Sequence, residues 1–223
     1  MRDFTPFPSI PHLVAPRNTS IRNDKVLSSC ERTIFFDHPL RIEEKIDGQN
    51  LGISSIDGET LSYQGRGSFV ELGGRHFRGL EGWIKPRATR ILSACGDRLV
   101  LFGEWCRIKH TVFYDSLPDW FILFAVYDKL EGEFWAPQLA EALADDLSLS
   151  SPPVLGIGEF SLDELFGMIG KSRFGSSKME GIVAKSINPG SGQLCAKLVR
   201  PDFVQSIEGH WMSGPLETNR LAT

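Results

Sequence analysis

The residues whose types and spacing suit chemistry gather around Lys45, in the stretch Arg41-Ile42-Glu43-Glu44-Lys45-Ile46-Asp47-Gly48-Gln49-Asn50-Leu51-Gly52-Ile53-Ser54. Apolar residues alternate through it: Ile42 before the polar centre, Ile46 inside it, Leu51 and Ile53 after it. That spacing predicts two short strands meeting at a tight break, Asp47-Gly48-Gln49. The Asp-Gly pair reads as a hairpin turn, because glycine takes positive φ without steric cost. Lys45 stands just before that turn, beside Glu44, Asp47 and Asn50. One reading is a solvent-facing lysine that blunts a sheet edge. The other is an amine nucleophile on a largely buried strand, which acts once it sheds its proton.

Other positions carry chemistry of their own. Arg66 lies between Gly65 and Gly67 after a short strand at 60–64. It is either an ordinary turn arginine or a planar fork for phosphate oxygens. Glu104 ends the apolar run Leu99-Val100-Leu101-Phe102-Gly103. A carboxylate there is costly unless it is paired, hydrogen-bonded, near a metal or already in water. Phe124 lies within the aromatic strand 119–128, either as core or as a ring that stacks on a base. Arg75, His76, Arg78, Lys85, Arg87 and Arg90 form the main basic cluster, either a solvated face or a phosphate-backbone contact.

The string Glu44-Lys45-Ile46-Asp47-Gly48-Gln49-Asn50 resembles the nucleophile motif of the covalent nucleotidyltransferases, in the form used by RNA ligases. Four further segments resemble that family's motifs in order: Arg66, then Phe102-Gly103-Glu104-Trp105, then the Phe124 strand, then Glu180-Gly181-Ile182-Val183-Ala184-Lys185. Lys197 resembles the first lysine of the closing Lys-x-Lys pair. Its second lysine is replaced by Val199, with Arg200 adjacent. The Phe-Asp pair common in the family is Phe124-Ala125 here. His110, Tyr114-Asp115, Leu117-Pro118 and Phe121 match a further family pattern, and Pro8-Ser9-Ile10-Pro11-His12-Leu13 resembles the opening of small phage and bacterial members.

The resemblance implies an α+β, ATP-grasp-like nucleotidyltransferase domain of antiparallel sheets flanked by helices, with an ATP cleft between the sheets. It implies an ATP-dependent RNA ligase of the RNA repair type, which joins a 3′-hydroxyl to a 5′-phosphate. The reaction would pass through AMP carried on Lys45 and then on the RNA. Catalysis would fall to Lys45, Asp47, Glu104, Glu180 and Lys197. Asp47, Glu104 and Glu180 would hold Mg²⁺ or Mn²⁺. The nucleotide would be bound by Glu44, Lys45, Asn50, Arg66, Glu104, Phe124, Glu180, Lys185 and Lys197. Glu44 or its backbone would read the adenine amine, Phe124 would stack on the ring, Asn50 would place the phosphate, and Arg200 or Lys185 would replace the missing lysine. Nearby cations and partial burial would lower the pKa of Lys45. DNA ligases and capping enzymes share the lysine, as would a non-catalytic binder of RNA ends. The first two usually carry an OB-fold after this domain, and about 23 residues after Arg200 are too few for one. An end-processing partner protein or the duplex itself would then supply end recognition.

The remaining sequence supplies the elements that position these residues. Residues 1–32, rich in Pro, Ser, Asn and Arg, predict an extended arm; Pro6, Pro8 and Pro11 disfavour helix. Phe4, Phe7, Ile10 and Leu13 would pack it on a domain at 33–223. Helices are expected at about 80–94 with a break at Pro86, at 136–147 and at 161–170. The last carries a capping box, Ser161 with Glu164. Further strands are expected at 179–186 and 194–200, a loop at 188–192, and a short helix from Asp202 ending near His210-Trp211. The chain of 223 residues is 41% hydrophobic, enough for a full core. A net charge of −4 confines any polynucleotide site to a local patch. Cys30, Cys95, Cys106 and Cys195 are scattered, which argues against zinc or a disulfide framework and fits a reduced cytoplasm. No signal-peptide core or membrane-length apolar run is present.

Overall fold

The structure is a computed structural model that describes residues 4–15, 25–187, 194–206 and 216–223, and the side chains of these except at 204–206. Its strands are β1 (Leu40–Lys45), β2 (Gln49–Ser55), β3 (Leu61–Gln64), β4 (Leu99–Trp105), β5 (Phe121–Asp128), β6 (Glu133–Phe134), β7 (Val154–Gly158), β8 (Gly181–Ser186) and β9 (Cys195–Val199). Its helices are α1 (Ser29–Phe36), α2 (Leu80–Ile84), α3 (Ala88–Cys95), α4 (Pro137–Leu147), α5 (Leu162–Met168) and α6 (Pro201–Ser206). The strands form two antiparallel sheets, ordered β7-β1-β8-β9 and β3-β2-β4-β5-β6. This is the expected α+β arrangement of two sheets flanked by helices.

The expected hairpin around Asp47-Gly48 does not form. β1 pairs with β7 and β8, whereas β2 pairs with β3 and β4. The break at 46–48 therefore carries the chain from one sheet to the other. Gly48 is not at positive φ. A Cβ there would lie 2.7 Å from the Trp105 carbonyl oxygen, so glycine is required by close approach rather than by turn geometry.

Strand alternation sorts the two faces of each sheet. In the four-stranded sheet Leu40 and Ile42 join Ile182, Ala184, Ala196 and Leu198 in one core. Arg41, Glu43 and Lys45 take the other face, with Val183, Lys185, Cys195 and Lys197 across from them or one strand further on. In the five-stranded sheet Leu51, Ile53, Leu99, Leu101 and Leu123 pack under α2, α3 and α4. The opposite face carries Val100, Phe102 and Ala125. The two remaining faces turn toward each other across a cavity.

The helices follow their local signals. The helical stretch at 80–94 is broken at 85–87, where Pro86 cannot continue α2. α4 starts with Pro137 in its first turn and buries Ala140, Ala144 and Leu147 along one face. α5 has the expected capping box. α1 was not anticipated: Ser29–Phe36 is helical and takes over the end of the expected extended arm, with a capping box in which Ser28 and Glu31 each bond the other's backbone N–H. β7 was also unanticipated. The expected loop at 188–192 and the end of the expected helix at 207–211 lie outside the described residues.

Candidate active site

A cavity of about 150 Å³ opens between the sheets, lined by Lys45, Asn50, Arg66, Glu104, Phe124, Lys185 and Lys197 among others. Seven residues singled out along the sequence thus meet at one place. β1 delivers Lys45 at its last residue, just before the crossover. Its Nζ lies 2.7 Å from Glu180 Oε2, at the entry to β8. Glu104 stands opposite Asn50 in the β2–β4 pair, and its Oε1 accepts from the Gly48 N–H at 3.1 Å. Lysine and two carboxylates therefore converge where the chain changes sheets.

Their charges are strongly coupled. Burial opposes the charge on Lys45, but Glu180, Glu104 and Asp47 together outweigh it and raise its pKa. The lowering expected from nearby cations is absent in the protein alone, because carboxylates rather than cations surround the amine. Burial pushes the Glu104 carboxyl up to about 8 and the Glu180 carboxyl up to about 7, with Lys45 partly offsetting both. Two buried acids of raised pKa beside an amine are an arrangement typical of proton transfer.

Four expected residues do something other than anticipated. The Glu44 side chain points away from Lys45, into the opposite face of β1. Its carboxylate accepts from Ser172 Oγ at 2.5 Å and from the Arg173 N–H at 2.8 Å. That fixes the turn ahead of β8 and leaves the main chain of Glu44 to line the cavity. Asp47 Oδ2 accepts from the N–H groups of Thr111 and Val112, both at 2.7 Å, and its own N–H donates to Tyr114 Oη at 2.8 Å. Lys185 is clamped between Glu43 Oε2 at 2.6 Å and the carbonyl oxygen of Phe124 at 2.7 Å. Arg200 turns to the Met179 carbonyl oxygen and Asp202, so it does not replace the missing lysine at Val199, which is buried.

Phe124 owes its position to a bulge. The β4–β5 register slips between Phe102 and Gly103, and Phe124 is the extra residue. Its half-buried ring enters the cavity, and its carbonyl is the one that Lys185 takes. Ala125, where the family often has Asp, is buried against Val100 and Phe102. Arg66 is exposed at the tip of the 65–68 turn, and its charge reaches Glu104. The basic cluster does not form one free face. Arg87 bonds Asp119 and the Trp83 carbonyl oxygen, and Arg90 bonds Ser148 and the Asp146 carbonyl oxygen.

A model of the RNA ligase family matches residues 38–199. The chain belongs to the RNA ligase family. Among solved structures the Naegleria gruberi RNA ligase is similar to this family member: an apo mutant with a TM-score of 0.60 and 16% identity, over 79% of this chain and 53% of that one. The same ligase with PPi gives 0.59 and 18%, over 77% and 52%. A mutant with AMP and Mn gives 0.60 and 16%, over 78% and 53%. At such identity the likeness shows the fold, and this chain spans about half the length of those ligases. No curated protein sequence matches significantly. Among the described residues no helix is long and apolar enough to cross a membrane.

Several further residues help build this cavity. Glu43 bridges Arg41 and Lys185 while 4% exposed; its i, i+2 relation to Lys45 signals a shared face. Tyr114, in the Tyr114-Asp115 pattern, takes its role from the Asp47 N–H, from which its hydroxyl accepts. Asn219, 2% exposed, accepts from the Tyr114 N–H and donates to the Cys106 carbonyl oxygen. Nothing local in the sequence marks it.

Proposed function

We propose that this chain is an ATP-dependent RNA ligase that seals 3′-hydroxyl and 5′-phosphate RNA ends in cytoplasmic RNA repair, with residues 33–223 carrying the adenylyl-transfer chemistry. The observation that carries this reading is Lys45, hydrogen-bonded to Glu180 and flanked by Glu104, at one end of a two-sheet cavity that also holds Arg66, Lys197 and the Phe124 ring.

In this reading Lys45 Nζ gives a proton to Glu180 Oε2, 2.7 Å away. Its free lone pair attacks the α-phosphorus of ATP, forming a phosphoramidate bond while the bond to pyrophosphate breaks. Glu180, raised to about 7, is matched to receive that proton near neutral pH. Attack by an RNA 5′-phosphate oxygen then frees Lys45 and leaves AMP on the RNA. Attack by the 3′-hydroxyl closes the phosphodiester and releases AMP. Phe124 stacks on the base, and the main chain of Glu44 faces its edge. The Asn50 Oδ1, buried with no partner among the described residues, is available to a ligand donor. Arg66 and Lys197 balance phosphate charge, whereas Lys185 acts by holding Phe124.

Among the described residues Asp47, Glu104 and Glu180 do not come together as a three-ligand metal site, because the Asp47 carboxylate is taken by the Thr111 and Val112 amides. A divalent cation, Mg²⁺ or Mn²⁺, would be held by Glu104 and Glu180 alone. Glu104 and Glu180 are buried oxygen donors whose carboxyls are pushed up by desolvation, which a bound cation would offset. Mg²⁺ needs only one or two carboxylates beside phosphate oxygens and water. When bound, it supplies charge that stabilises the phosphates during displacement. Asp47 holds the crossover through the Thr111 and Val112 amides and supports that pair.

The test is incubation with α-³²P-ATP and Mg²⁺ or Mn²⁺, followed by a denaturing gel. Label should stay on the wild-type chain and be absent from Lys45→Ala. Addition of RNA bearing a 5′-phosphate should then discharge it. Label from GTP alone, or label that survives Lys45→Ala, refutes the assignment.

A further inference from the structure

Residues 4–13 cross the cavity from one sheet to the other. Near their start the Thr5 carbonyl oxygen accepts from Gln64 Nε2 on β3, and Phe4 meets the ring of Phe69. At their end the Pro11 carbonyl oxygen accepts from the Lys197 N–H and the Leu13 N–H donates to the Lys197 carbonyl oxygen, both at 2.9 Å. The arm thus holds both main-chain groups of Lys197, whose side chain lines the cavity. Pro6, Pro8 and Pro11 keep the segment extended, and ten extended residues reach roughly 30 Å, enough to bridge two sheets.

Between these anchors Phe7, Pro8 and Ile10 line the cavity itself. The Phe7 ring touches three rings of the five-stranded sheet: Phe124 with centroids 5.0 Å apart, Phe102 at 5.1 Å and Phe134 at 5.6 Å. The Phe7 and Phe124 planes meet at 68°, an edge-to-face contact that restrains the Phe124 ring. Phe124 is therefore held twice, its carbonyl by Lys185 and its ring by Phe7. Phe124 sits in a bulge, whose extra residue has no ladder partner to hold it. External restraint matters most at such a residue.

We propose that residues 4–13 are an integral wall of the nucleotide cavity, and that Phe7 is a positioning residue that sets the Phe124 ring for stacking on the base of ATP. The proposal rests on the reading of this cavity as the ATP site. Loss of the Phe7 ring loosens Phe124 before and during reaction alike, so it weakens nucleotide binding without slowing bound nucleotide.

The experiment uses the full chain with Phe7→Leu and Phe7→Tyr. Leucine keeps an apolar anchor and removes the ring; tyrosine keeps the ring. The measurements are melting temperature, ATP affinity by calorimetry, and the ATP dependence of Lys45 labelling. For Phe7→Leu the expected result is a near wild-type melting temperature, an apparent KM for ATP raised about tenfold and a maximal rate within about twofold. Phe7→Tyr should restore the KM. A KM within about twofold of wild type in Phe7→Leu overturns the proposal, as does a loss confined to the maximal rate. Labelling of the wild type, with Phe7→Leu indistinguishable from it, leaves the ATP reading standing and sinks only the role of the arm. A wild-type chain that neither binds ATP nor takes label defeats both.

Discussion

At the scale of single residues the site turns on one proton between Lys45 and Glu180. Glu180→Gln preserves shape and a hydrogen bond to Lys45 but removes the proton acceptor. Self-adenylation should fall by roughly 10²–10⁴, the usual range for a lost general base, with the fold intact. An unchanged single-turnover rate would remove Glu180 from the proton path. A second residue-scale prediction concerns Asp128, far from Lys45. The Arg98 guanidinium, aided by the N–H groups of Glu131 and Leu130 and the Trp135 indole, holds its carboxyl well below the usual range. A carboxyl with a depressed folded pKa stabilises the fold above its unfolded value, and that stability is lost as pH falls through the folded value. Asp128→Asn should therefore cost roughly 2 kcal/mol at pH 7, with the gap narrowing below about pH 4. Denaturant melts of both proteins at pH 7 and pH 3 check this, and a gap of constant size would contradict it. Lys45, Glu104, Phe124 and Lys197 were legible in the sequence through residue type and motif order, although the bulge that turns Phe124 into the cavity was not. The engagements of Glu44, Asp47 and Lys185 were not, since each is decided by a partner 61 or more residues away.

At the scale of elements, strands were easier to read than their pairing. Lys45 and Asn50 do lie on two strands, yet an Asp-Gly break between alternating runs suits a hairpin and a sheet-to-sheet crossover equally well. Only the partners β8 and β4, remote in sequence, separate the two. α1 was legible and missed: Ser28 with Glu31 is the same capping signature recognised at Ser161 and Glu164. The segment 216–223 had no local signal at all, because its structure comes from pairing with 106–117. The Lys109 N–H meets the Glu217 carbonyl oxygen, and the Asn219 N–H meets that of Arg107. Asn219 ties Tyr114 to Cys106, Tyr114 meets the Asp47 amide, and Asp47 holds the crossover behind Lys45. Asn219→Ala leaves a buried N–H and a buried carbonyl without partners, which should cost about 2–3 kcal/mol. It should also slow adenylation of the protein that remains folded. Normal labelling together with that loss of stability would confine Asn219 to the fold.

At the scale of the whole molecule, two sheets must keep the spacing of the cavity between them. Charged groups and the arm hold them together. Arg41 on β1 bonds Glu141 on α4 at 2.8 Å, and Lys185 on β8 reaches the Phe124 carbonyl oxygen on β5. Glu43 joins the two cations, so Glu141, Arg41, Glu43 and Lys185 form one chain of alternating charge across the molecule. Such a chain is expensive to desolvate and costly to break at one member. Lys185→Met leaves Glu43 buried with Arg41 alone and frees the Phe124 carbonyl. If Lys185 served only to grip phosphate, this variant would melt like the wild type and fail only with ATP. If it fastens the sheets, the nucleotide-free protein should lose roughly 3 kcal/mol, and the Phe124 bulge should gain faster amide exchange. Exchange measured without nucleotide separates the two roles, because no phosphate is then present. Protection unchanged at 121–128 would return Lys185 to the phosphates, whereas protection lost there makes the charged chain a determinant of the cavity's width.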